Sequence, residues 1–479
     1  MKHLKKPIIV LVPYPAQGHV SPMQKLAWAF LGHGYEAVIV VPQFIHRQIM
    51  VHTDHEIKWV ALPDGLAHEQ EEGESPDFFA IESAMENTMP THLEGLLRKL
   101  SEDGDVACLI VDLLASWALQ IADACGIPSA GFWPAMFATY LFIAAIPHML
   151  RRGLISHTES WIWTGLPQQS GKFSLEAEVP AISTEDLPWL IGTDGARKGR
   201  FKFWKRNLER WSTLKWLLVN SFPDESKVEF ANKLSSRVLP IGPICSGHEL
   251  TKNVSLWEED MSCLKWLAKQ EEKSVVYISF GSWVSPIGEA NLKNLALALE
   301  ASGRPFIWVL RSTWRQCLPI GFLDSLVKQD RGRVVSWAPQ NQILQHNNVA
   351  CYITHCGWNS ILEALQFQKK LLCYPVAGDQ FVNCAYVVQV WRVGLKLHAL
   401  EPTHVQQGLF SLIQDKDMDT RLRKLRHRIM GFAGNNNTGA FIFNTFLQDL
   451  NKASSTTTTL ATTDTEDVLG AVTQGKIQD

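Results

Sequence analysis

The sequence predicts an α/β protein with two Rossmann-like, doubly wound domains that face each other across a cleft. Two observations carry this prediction. Apolar runs of strand length alternate with amphipathic helical segments, and the same rhythm restarts in the second half of the chain. The length of 479 residues allows two or three domains. With 46% hydrophobic and 19% charged residues, the chain can fill large cores and is not a disordered or fibrous sequence.

The first strand–helix–strand unit lies at the N-terminus. Residues 7–12 form a continuous apolar run, as expected of a parallel strand that is buried on both faces. After a predicted loop at 13–20, Ser21 and Pro22 indicate the start of a helix, and residues 36–41 form the next predicted strand. The apolar run is too short for a signal peptide and is followed by no small-residue cleavage site. We therefore interpret it as a strand.

The second half repeats this pattern, with predicted strands at 274–280 and 305–310 and a predicted helix at 291–301. A Pro- and Gly-rich segment followed by polar residues separates the halves. We predict an N-terminal acceptor-binding domain at 1–243, a linker at 244–259 and a C-terminal donor-binding domain at 260–452, whose last helix can pack back on the first domain. The Thr-rich residues 453–479 are predicted to be disordered.

Charge and cysteine content exclude several classes of partner. The formal charge is −3, from 45 basic and 48 acidic residues, so we expect no nucleic-acid or polybasic membrane partner. The nine cysteines contain no Cys-x-x-Cys pair, and neither a disulfide framework nor a metal site is predicted. No window approaches the ~20 apolar residues that span a bilayer. We expect a cytoplasmic, monomeric protein without a transmembrane segment.

The strongest functional signal lies in residues 337–380. Within it, 350–354 is a predicted strand, 359–365 a predicted helix, and 355–358 the tight turn between them. The first turn of such a helix presents unpaired N–H groups, so a strand–turn–helix with Asn359 and Ser360 can hold an anion such as a diphosphate. Taken alone, these two residues favour ordinary helix capping over an anion site.

The whole segment, from Trp337-Ala338-Pro339-Gln340 through 354–360 to Asp379-Gln380, resembles the signature box of plant family-1 UDP-sugar glycosyltransferases. The resemblance extends from Ile8 to about Leu450 and includes Ser279-Phe280-Gly281-Ser282. A small branch of that family, numbered 82, is the suggested relative. The resemblance implies a GT-B fold and a role in plant secondary metabolism. It also implies a UDP-sugar as co-substrate, with no further cofactor and no metal.

The resemblance also implies a role for individual residues. Trp337 stacks on uracil and the Ala338 backbone bonds its edge, while Gln340 and Glu363 hold the ribose hydroxyls. The diphosphate and sugar are then assigned to the turn and its surroundings: His355, Gly357, Asn359, Ser360 and Ser282 for the diphosphate, and Trp358, Asp379 and Gln380 for the sugar. In this family, Gln at the last position favours glucose, so UDP-glucose is the expected donor.

A candidate catalytic pair comes from the first half of the chain. His19 follows the first strand, and Asp112 ends the predicted strand at 107–111. Because ligands bind outside the carboxyl ends of parallel strands, both residues are expected at one crevice. A carboxylate can orient an imidazole so that its other nitrogen accepts a proton, although a His–Asp contact is commonly structural. The resemblance implies that His19 is the general base and Asp112 its orienting acid.

The implied reaction is an inverting transfer of a sugar, expected to be glucose, to a hydroxyl or carboxyl of a small lipophilic acceptor such as a phenolic, terpenoid or hormone-like acid. Candidate acceptor contacts are the aromatic residues Phe78, Phe79, Trp133 to Tyr140 and Trp189, each of which is equally compatible with ordinary core packing. A nucleotide-sugar hydrolase and a catalytically silent UDP-sugar-binding protein are the alternatives. A dehydrogenase is excluded, because no Gly-x-Gly-x-x-Gly follows the first strand.

The chain departs from the family pattern at three places. Pro134 replaces a small hydroxyl residue expected to contact the sugar 6-hydroxyl, which weakens the assignment of the donor. Gln368, Lys369 and Lys370 replace Gly-Val-Pro, where the glycine is expected to end a helix, so the cost is local stability and no chemistry is lost. The Thr-rich terminal segment has no counterpart.

Overall fold

The computed structural model describes residues 5–49, 56–66, 77–157, 163–175, 179–222, 237–244, 255–282, 287–433 and 438–452. Most of the predicted linker and the whole Thr-rich terminal segment lie outside the described residues. The strands are β1 Ile8–Val12, β2 Glu36–Pro42, β3 Ile57–Leu62, β4 Val106–Asp112, β5 Ser129–Trp133, β6 Ile155–His157, β7 Trp163–Pro167, β8 Lys172–Phe173, β9 Ile182–Ser183, β10 Trp216–Val219, β11 Arg237–Pro240, β12 Val275–Ser279, β13 Phe306–Val309, β14 Gly332–Val335, β15 Val349–Thr354, β16 Lys370–Cys373 and β17 Gly394–Lys396.

Helices follow most of these strands. They are α1 Gln17–Gly32, α2 Gln43–Gln48, α3 Phe78–Asn87, α4 Met89–Asp103, α5 Trp117–Ala124, α6 Phe137–Ala144, α7 Ile146–Arg151, α8 Asp194–Trp211, α9 Ser262–Leu267, α10 Glu289–Ser302, α11 Ser312–Arg315, α12 Phe322–Gln329, α13 Gln340–Gln345, α14 Trp358–Gln366, α15 Gln380–Ala385, α16 Pro402–Gln414, α17 Lys416–Ala433 and α18 at 438–452. Short 3₁₀ turns lie at Leu113–Ala115 and Thr184–Asp186, and a π-helical turn, Tyr386–Val390, continues α15.

Two parallel sheets form the framework. The first has seven strands in the order β11-β10-β5-β4-β1-β2-β3, and the second has six in the order β14-β13-β12-β15-β16-β17. Both orders reverse direction beside their first strand, at β1/β4 and at β12/β15, as in doubly wound folds. The fully buried run Ile8–Val12 explains why β1 is central, since apolar side chains on both faces need a helical layer on each side. The predicted α/β class is confirmed.

Three apolar clusters hold the layers together. One covers the face of the first sheet formed by residues such as Ile9 and Leu11, and it includes Phe443 and Phe446 of α18. A second fills the outer face of the second sheet. The third and largest runs from the other face of the first sheet into the second, so the two halves share apolar packing. Helix α18 thus lies against the first sheet, and Tyr35 Oη donates to Asn451 Oδ1 at 3.0 Å.

Candidate active site

Residues from both domains line one cavity of about 730 Å³, located where the two switch points face each other. We call its N-terminal lining residues, which lie between Tyr14 and Trp204, the front wall. The lining residues between Ser255 and Gln380 form the rear wall. Apart from Asp112, all the predicted site residues line this cavity: His19, Ser282, Trp337, Ala338, Gln340, His355, Gly357, Trp358, Asn359, Ser360, Glu363, Asp379 and Gln380.

Asp112 lies directly behind His19. Its Oδ2 is 2.7 Å from His19 Nδ1, and its Oδ1 accepts the Leu114 N–H at 2.9 Å, so both carboxylate oxygens are engaged. The Asp112 side chain is fully buried, whereas that of His19 is 21% exposed. A carboxylate on Nδ1 fixes the tautomer that carries its proton there, which leaves Nε2 as a proton acceptor. The pair is therefore arranged as a base with an orienting acid.

The start of α1 differs from the prediction. The helix begins at Gln17 rather than at Ser21, so His19 lies in its first turn and not in a loop, and Pro22 lies inside the helix. Because proline has no N–H, the carbonyl of Gly18 loses its intrahelical partner. Asn359 Nδ2 from the rear wall donates to that carbonyl at 2.8 Å. Pro22, which predicted a helix start, instead leaves the Gly18 carbonyl without a partner in α1, and the hydrogen bond from Asn359 to that carbonyl joins the two walls.

The turn after β15 is shaped around the His355 ring. A Cβ atom at Gly281 would lie 2.6 Å from His355 Nε2, and one at Gly357 would lie 2.4 Å from it. Both glycines are needed because the imidazole fills the space between two backbone segments. The positive φ of this turn, 69°, belongs to Cys356 and not to Gly357. Burial lowers the pKa of His355 to about 4, so its ring is neutral at pH 7.

Gln340 contacts Glu363, the other residue predicted to hold the ribose. Its Nε2 donates to Glu363 Oε2 at 2.7 Å and to Ser360 Oγ at 3.2 Å. Its Oε1 accepts from the hydroxyls of Tyr277 and Tyr352 at 3.0 and 3.2 Å. Gln340 therefore holds Glu363 in place, and its own contact with a ribose stays a prediction. Burial raises the pKa of Glu363, and the charge of Lys25 on α1 opposes that shift.

The Trp358 side chain has partners in the N-terminal domain. Its indole Nε1 donates to the backbone carbonyl of Asn220 at 2.7 Å, and its ring stacks on Phe222 at 6.2 Å between centroids. The side-chain donor therefore joins the domains, while the backbone N–H at the N-terminus of α14 faces the cavity end of the helix. The contact of Trp358 with the sugar stays a prediction.

Asp379 and Gln380 each keep hydrogen-bonding capacity beyond the contacts that they make with other described residues. Asp379 Oδ2 accepts from Asn383 at 2.8 Å, and Gln380 Oε1 accepts the N–H groups of Val376 and Ala377 at 2.9 and 3.0 Å. Burial raises the pKa of Asp379, and the nearby charge of His19 opposes the shift. The carboxylate therefore lies within electrostatic range of the candidate base.

The region around Trp337 contains residues that the sequence analysis missed. Trp257 packs on Trp337 with 4.6 Å between ring centroids, and Arg311 lies over Trp257 at 4.8 Å. Glu259 lines the cavity, and burial together with the charge of Glu363 raises its pKa. Trp257 and Glu259 lie in the predicted linker, where polar composition suggested only a spacer. The aromatic residue Trp257 inside it was the available signal.

The front wall agrees in part with the acceptor contacts predicted from the sequence. Phe78, Trp133, Pro134 and Thr139 line the cavity. Trp189 does not, because it is fully buried and its Nε1 donates to the Gly165 carbonyl at 2.8 Å. Phe79 and Tyr140 are also absent from the lining, and Arg200, Phe203 and Trp204 of α8 are the residues that were missed. The sequence signal that could have identified them is the set of aromatic residues spaced among the basic residues of α8.

A cysteine cluster that the spacing did not predict lies near the donor turn. The Sγ atoms of Cys356, Cys373 and Cys384 are all within 4.8 Å of one another and are buried. Burial raises the pKa of the Cys356 thiol, while hydrogen bonds from the other two thiols lower that of Cys384. The cluster joins the ends of β15 and β16 to α15.

Comparison with known proteins decides the family. A family model described as UDP-glucoronosyl and UDP-glucosyl transferase matches residues 248–427. UDP-glycosyltransferase 82A1 of Arabidopsis thaliana is 51% identical over 90% of this chain and 96% of its own length. The chain belongs to the UDP-glycosyltransferase family. UDP-glycosyltransferase 83A1 of Arabidopsis thaliana is 31% identical over 83% of this chain and 85% of the relative. The predicted resemblance to plant family-1 members, and to branch 82, is confirmed.

Solved structures support the same architecture. Medicago truncatula UGT71G1 complexed with UDP-glucose gives a TM-score of 0.77 over 93% of this chain and 98% of that chain, at 20% identity. Os79 from O. sativa in complex with UDP gives 0.77 over 92% and 100%, at 22% identity. The predicted GT-B fold is confirmed. The family match and the 51% identical relative show that this protein is an enzyme that transfers a sugar from a UDP-sugar. None of its described helices is long and apolar enough to cross a membrane.

Proposed function

We propose that this glycosyltransferase moves glucose from UDP-glucose, with inversion, onto a small lipophilic acceptor, with His19 as general base and Asp112 as its orienting acid. The observation that carries the proposal is the position of the His19–Asp112 pair. It lies across one cavity from the N-terminus of α14, and Asn359 bonded to the Gly18 carbonyl joins the two sides. UDP-glucose is a co-substrate in this proposal, and no additional cofactor takes part.

The rear wall supports binding of the UDP part. The first-turn N–H groups of α14 lack intrahelical partners and point with the helix dipole, which suits a diphosphate. Neither backbone group of Ala338 takes part in a hydrogen bond to another described residue, so both can meet the edge of uracil beside Trp337. Glu363, held by Gln340 through one oxygen, keeps the other as an acceptor for ribose hydroxyls.

The glucose part is assigned to Asp379 and Gln380. Gln380 Oε1 is occupied by two backbone N–H groups, so its Nε2 is the group oriented for a ligand. Asp379 Oδ1 remains as an acceptor for sugar hydroxyls. Pro134 lines the cavity without a hydroxyl, so no contact to the 6-hydroxyl comes from that position.

The proposed chemistry is a single displacement. Nε2 of His19 takes the proton of the acceptor group while the acceptor oxygen attacks the anomeric carbon from the face opposite UDP. The bond from that carbon to the diphosphate oxygen breaks, and its electron pair leaves with UDP. Asp112 stabilises the imidazolium that forms, and base catalysis of this kind contributes ~10²–10⁴-fold.

Charge that develops on the leaving diphosphate is met by dipoles that are already oriented. The N–H groups at the start of α14 and the side chains of Asn359 and Ser282 supply them. His355 contributes as a neutral hydrogen-bonding ring, because burial lowers its pKa to about 4. The predicted contact of His355 with the diphosphate would thus come from a neutral ring.

An acceptor screen with UDP-glucose tests the proposal, with glucoside mass and free UDP measured in the same reactions. We expect glucoside and UDP in equal amounts with at least one lipophilic acceptor. UDP released at the same rate without any acceptor would indicate a nucleotide-sugar hydrolase. UDP binding without turnover for any acceptor would indicate a silent binding protein, and either result contradicts the proposal.

A further inference from the structure

Arg200 on α8 is a cationic residue of the front wall to which the proposed mechanism gives no role. Among the described residues that line the cavity, it is the only lysine or arginine. The acidic lining residues, Glu259, Glu363 and Asp379, all belong to the rear wall, and the described front wall contains none. The acceptor side of the cavity therefore carries a positive charge and no lining carboxylate, while the charges of Asp77 and Glu82, at the start of α3 and within it, act on Arg200 from behind the wall.

Neighbouring arginines on the same helix are neutralised by α3. Arg206 Nη2 lies 2.5 Å from Glu82 Oε1, and Arg210 binds both carboxylate oxygens of Glu86 at 2.8 Å. Arg200, in contrast, forms no hydrogen bond or ion pair with any residue in the described part of the chain. The α3–α8 contact thus gives Arg206 and Arg210 direct ion pairs, whereas Arg200, which reaches the cavity, feels Asp77 and Glu82 only through space and keeps its N–H donors for a ligand.

The position of Arg200 keeps its donors available. Its guanidinium carbon lies 4.6 Å from the centroid of Phe78 and 5.6 Å from that of Phe79. Gly199 makes this arrangement possible, because a Cβ there would lie 2.5 Å from the Phe79 ring. Stacking occupies a face of the guanidinium and leaves its N–H groups in the plane, where they match a carboxylate. Burial lowers the pKa of Arg200, which reflects its partial removal from water.

A second unpartnered polar group lies on the same wall. Thr139 is 3% exposed, lines the cavity, and its Oγ1 has no hydrogen-bond partner among the described residues. A helical threonine commonly bonds a carbonyl in the preceding turn, so an unused buried hydroxyl is unusual. Aromatic rings of Phe78, Phe203 and Trp204 line the same part of the cavity as Arg200. An acceptor on this wall meets apolar rings, the Thr139 hydroxyl and one cation.

Tyr14 links this cation to the catalytic pair. Its ring lies 5.2 Å from that of His19, and the charges of both Arg200 and Asp112 act on its ionisation. Arg200 and His19 therefore belong to one acceptor pocket, although no direct contact joins them. An acceptor that bridges them needs two polar groups separated by an apolar body.

We propose that the acceptor is a lipophilic carboxylate that also carries a hydroxyl, with its carboxylate paired to Arg200 and its hydroxyl presented to His19. The inference rests on the proposed transferase function and narrows its acceptor class. The carboxylate is the anchor and the hydroxyl is the nucleophile, so the product is an O-glucoside with a free carboxylate.

The test compares matched acceptors that differ only in charge. Para-hydroxybenzoate, para-coumarate and long-chain hydroxy fatty acids are each assayed beside their methyl esters with UDP-glucose, and kcat and KM are determined separately. We expect higher kcat/KM for the acids. In Arg200→Gln, we expect the acid-to-ester ratio to fall about 10- to 100-fold through KM, the scale of a lost charged hydrogen bond. Arg200→Lys is expected to recover part of the ratio.

Lys198→Gln is the matched control, since it removes one positive charge from an exposed position of the same helix. We expect it to leave the acid-to-ester ratio unchanged. Esters used as well as their acids, an unchanged ratio in Arg200→Gln, or a glucose ester on the carboxylate would each overturn the inference while leaving the transferase function intact. Failure of every acid and every ester to give a glucoside would instead count against the proposed function.

Discussion

Most of the rear wall comes from one continuous stretch of the C-terminal domain, 337–380, whereas the front wall is collected from segments scattered between Tyr14 and Trp204. The order of residues in that stretch fixes the rear wall, because strand β15, its turn and helix α14 follow one another directly. The front wall depends on which helices the fold brings beside the sheet. The difference suggests that the donor side is set by local sequence and the acceptor side by tertiary packing.

The largest expected effect separates catalysis on the front wall from binding on the rear wall. In His19→Ala, we expect kcat for transfer to fall ~10²–10⁴-fold, because the general base is lost. The affinity for UDP, measured by calorimetry, is expected to stay unchanged. His92→Ala, at an exposed position of α4, is the control and is expected to behave as wild type. Full turnover by His19→Ala would show that His19 is not the general base.

A pH effect on stability is expected from His355 on the rear wall. Because the pKa of His355 falls from 6.5 to about 4 on folding, the unfolded chain binds a proton at this residue in this range that the folded protein does not. His355 should therefore lower the free energy of unfolding by about 3 kcal/mol as pH falls from about 6.5 to about 4, while the raised pKa values of Glu259, Glu363 and Asp379 act in the opposite direction. Urea unfolding at a series of pH values measures this slope. In His355→Gln we expect the slope to shrink, and an identical slope would show that His355 does not cause it.

Loss of the predicted uracil platform sharpens the contrast with His19. Trp337→Ala is expected to weaken UDP binding by ~1–3 kcal/mol, the scale of one stacked base. Trp337→Phe retains an aromatic ring and should keep part of the affinity. Calorimetry with UDP measures both, and the KM for the acceptor should change little. Unchanged UDP affinity in Trp337→Ala would place uracil elsewhere.

The smallest expected effect concerns Gln368, a departure from the family pattern that lies outside both walls of the cavity. Gln368 follows α14 with a positive φ of 54°, a conformation that costs a side chain roughly 1–2 kcal/mol. Gln368→Gly is therefore expected to raise the free energy of unfolding by about 1 kcal/mol without changing transfer kinetics. Gln366→Gly, inside the same helix, should instead lower it by ~0.5–1 kcal/mol. If both variants changed the free energy of unfolding in the same direction, Gln368 would not be the strained position.

Sequence reasoning succeeded where the signal is local. The apolar runs located β1 and β15, the strand–turn–helix predicted the α14 N-terminus, and the Gly-to-Gln368 departure predicted the strained position. It failed where distant segments meet. Two examples are the hydrogen bond from the Asn359 amide to the Gly18 carbonyl and the position of Arg200 in the cavity lining. Both depend on how separate elements pack, and no spacing in the sequence predicts them.

Hydrogen-bond partners add what residue type alone does not give. Trp189 is an aromatic residue of the expected type, but it is buried, with its indole N–H on the Gly165 carbonyl, and does not line the cavity. Trp358 and Gln340 do line the cavity, and their side chains also bond Asn220 and Glu363. Residue type indicates what a side chain can bind, and only the structure shows which partner it has.

The anomeric configuration of the product tests the central claim most directly, because it reports whether the acceptor oxygen attacks from the side of His19 while UDP leaves toward α14. With UDP-glucose, whose glucosyl bond is α, NMR of the product formed with an accepted substrate is expected to show only the β-glucoside. An α-glucoside would contradict a single displacement across the cavity and with it the assignment of His19 as the base.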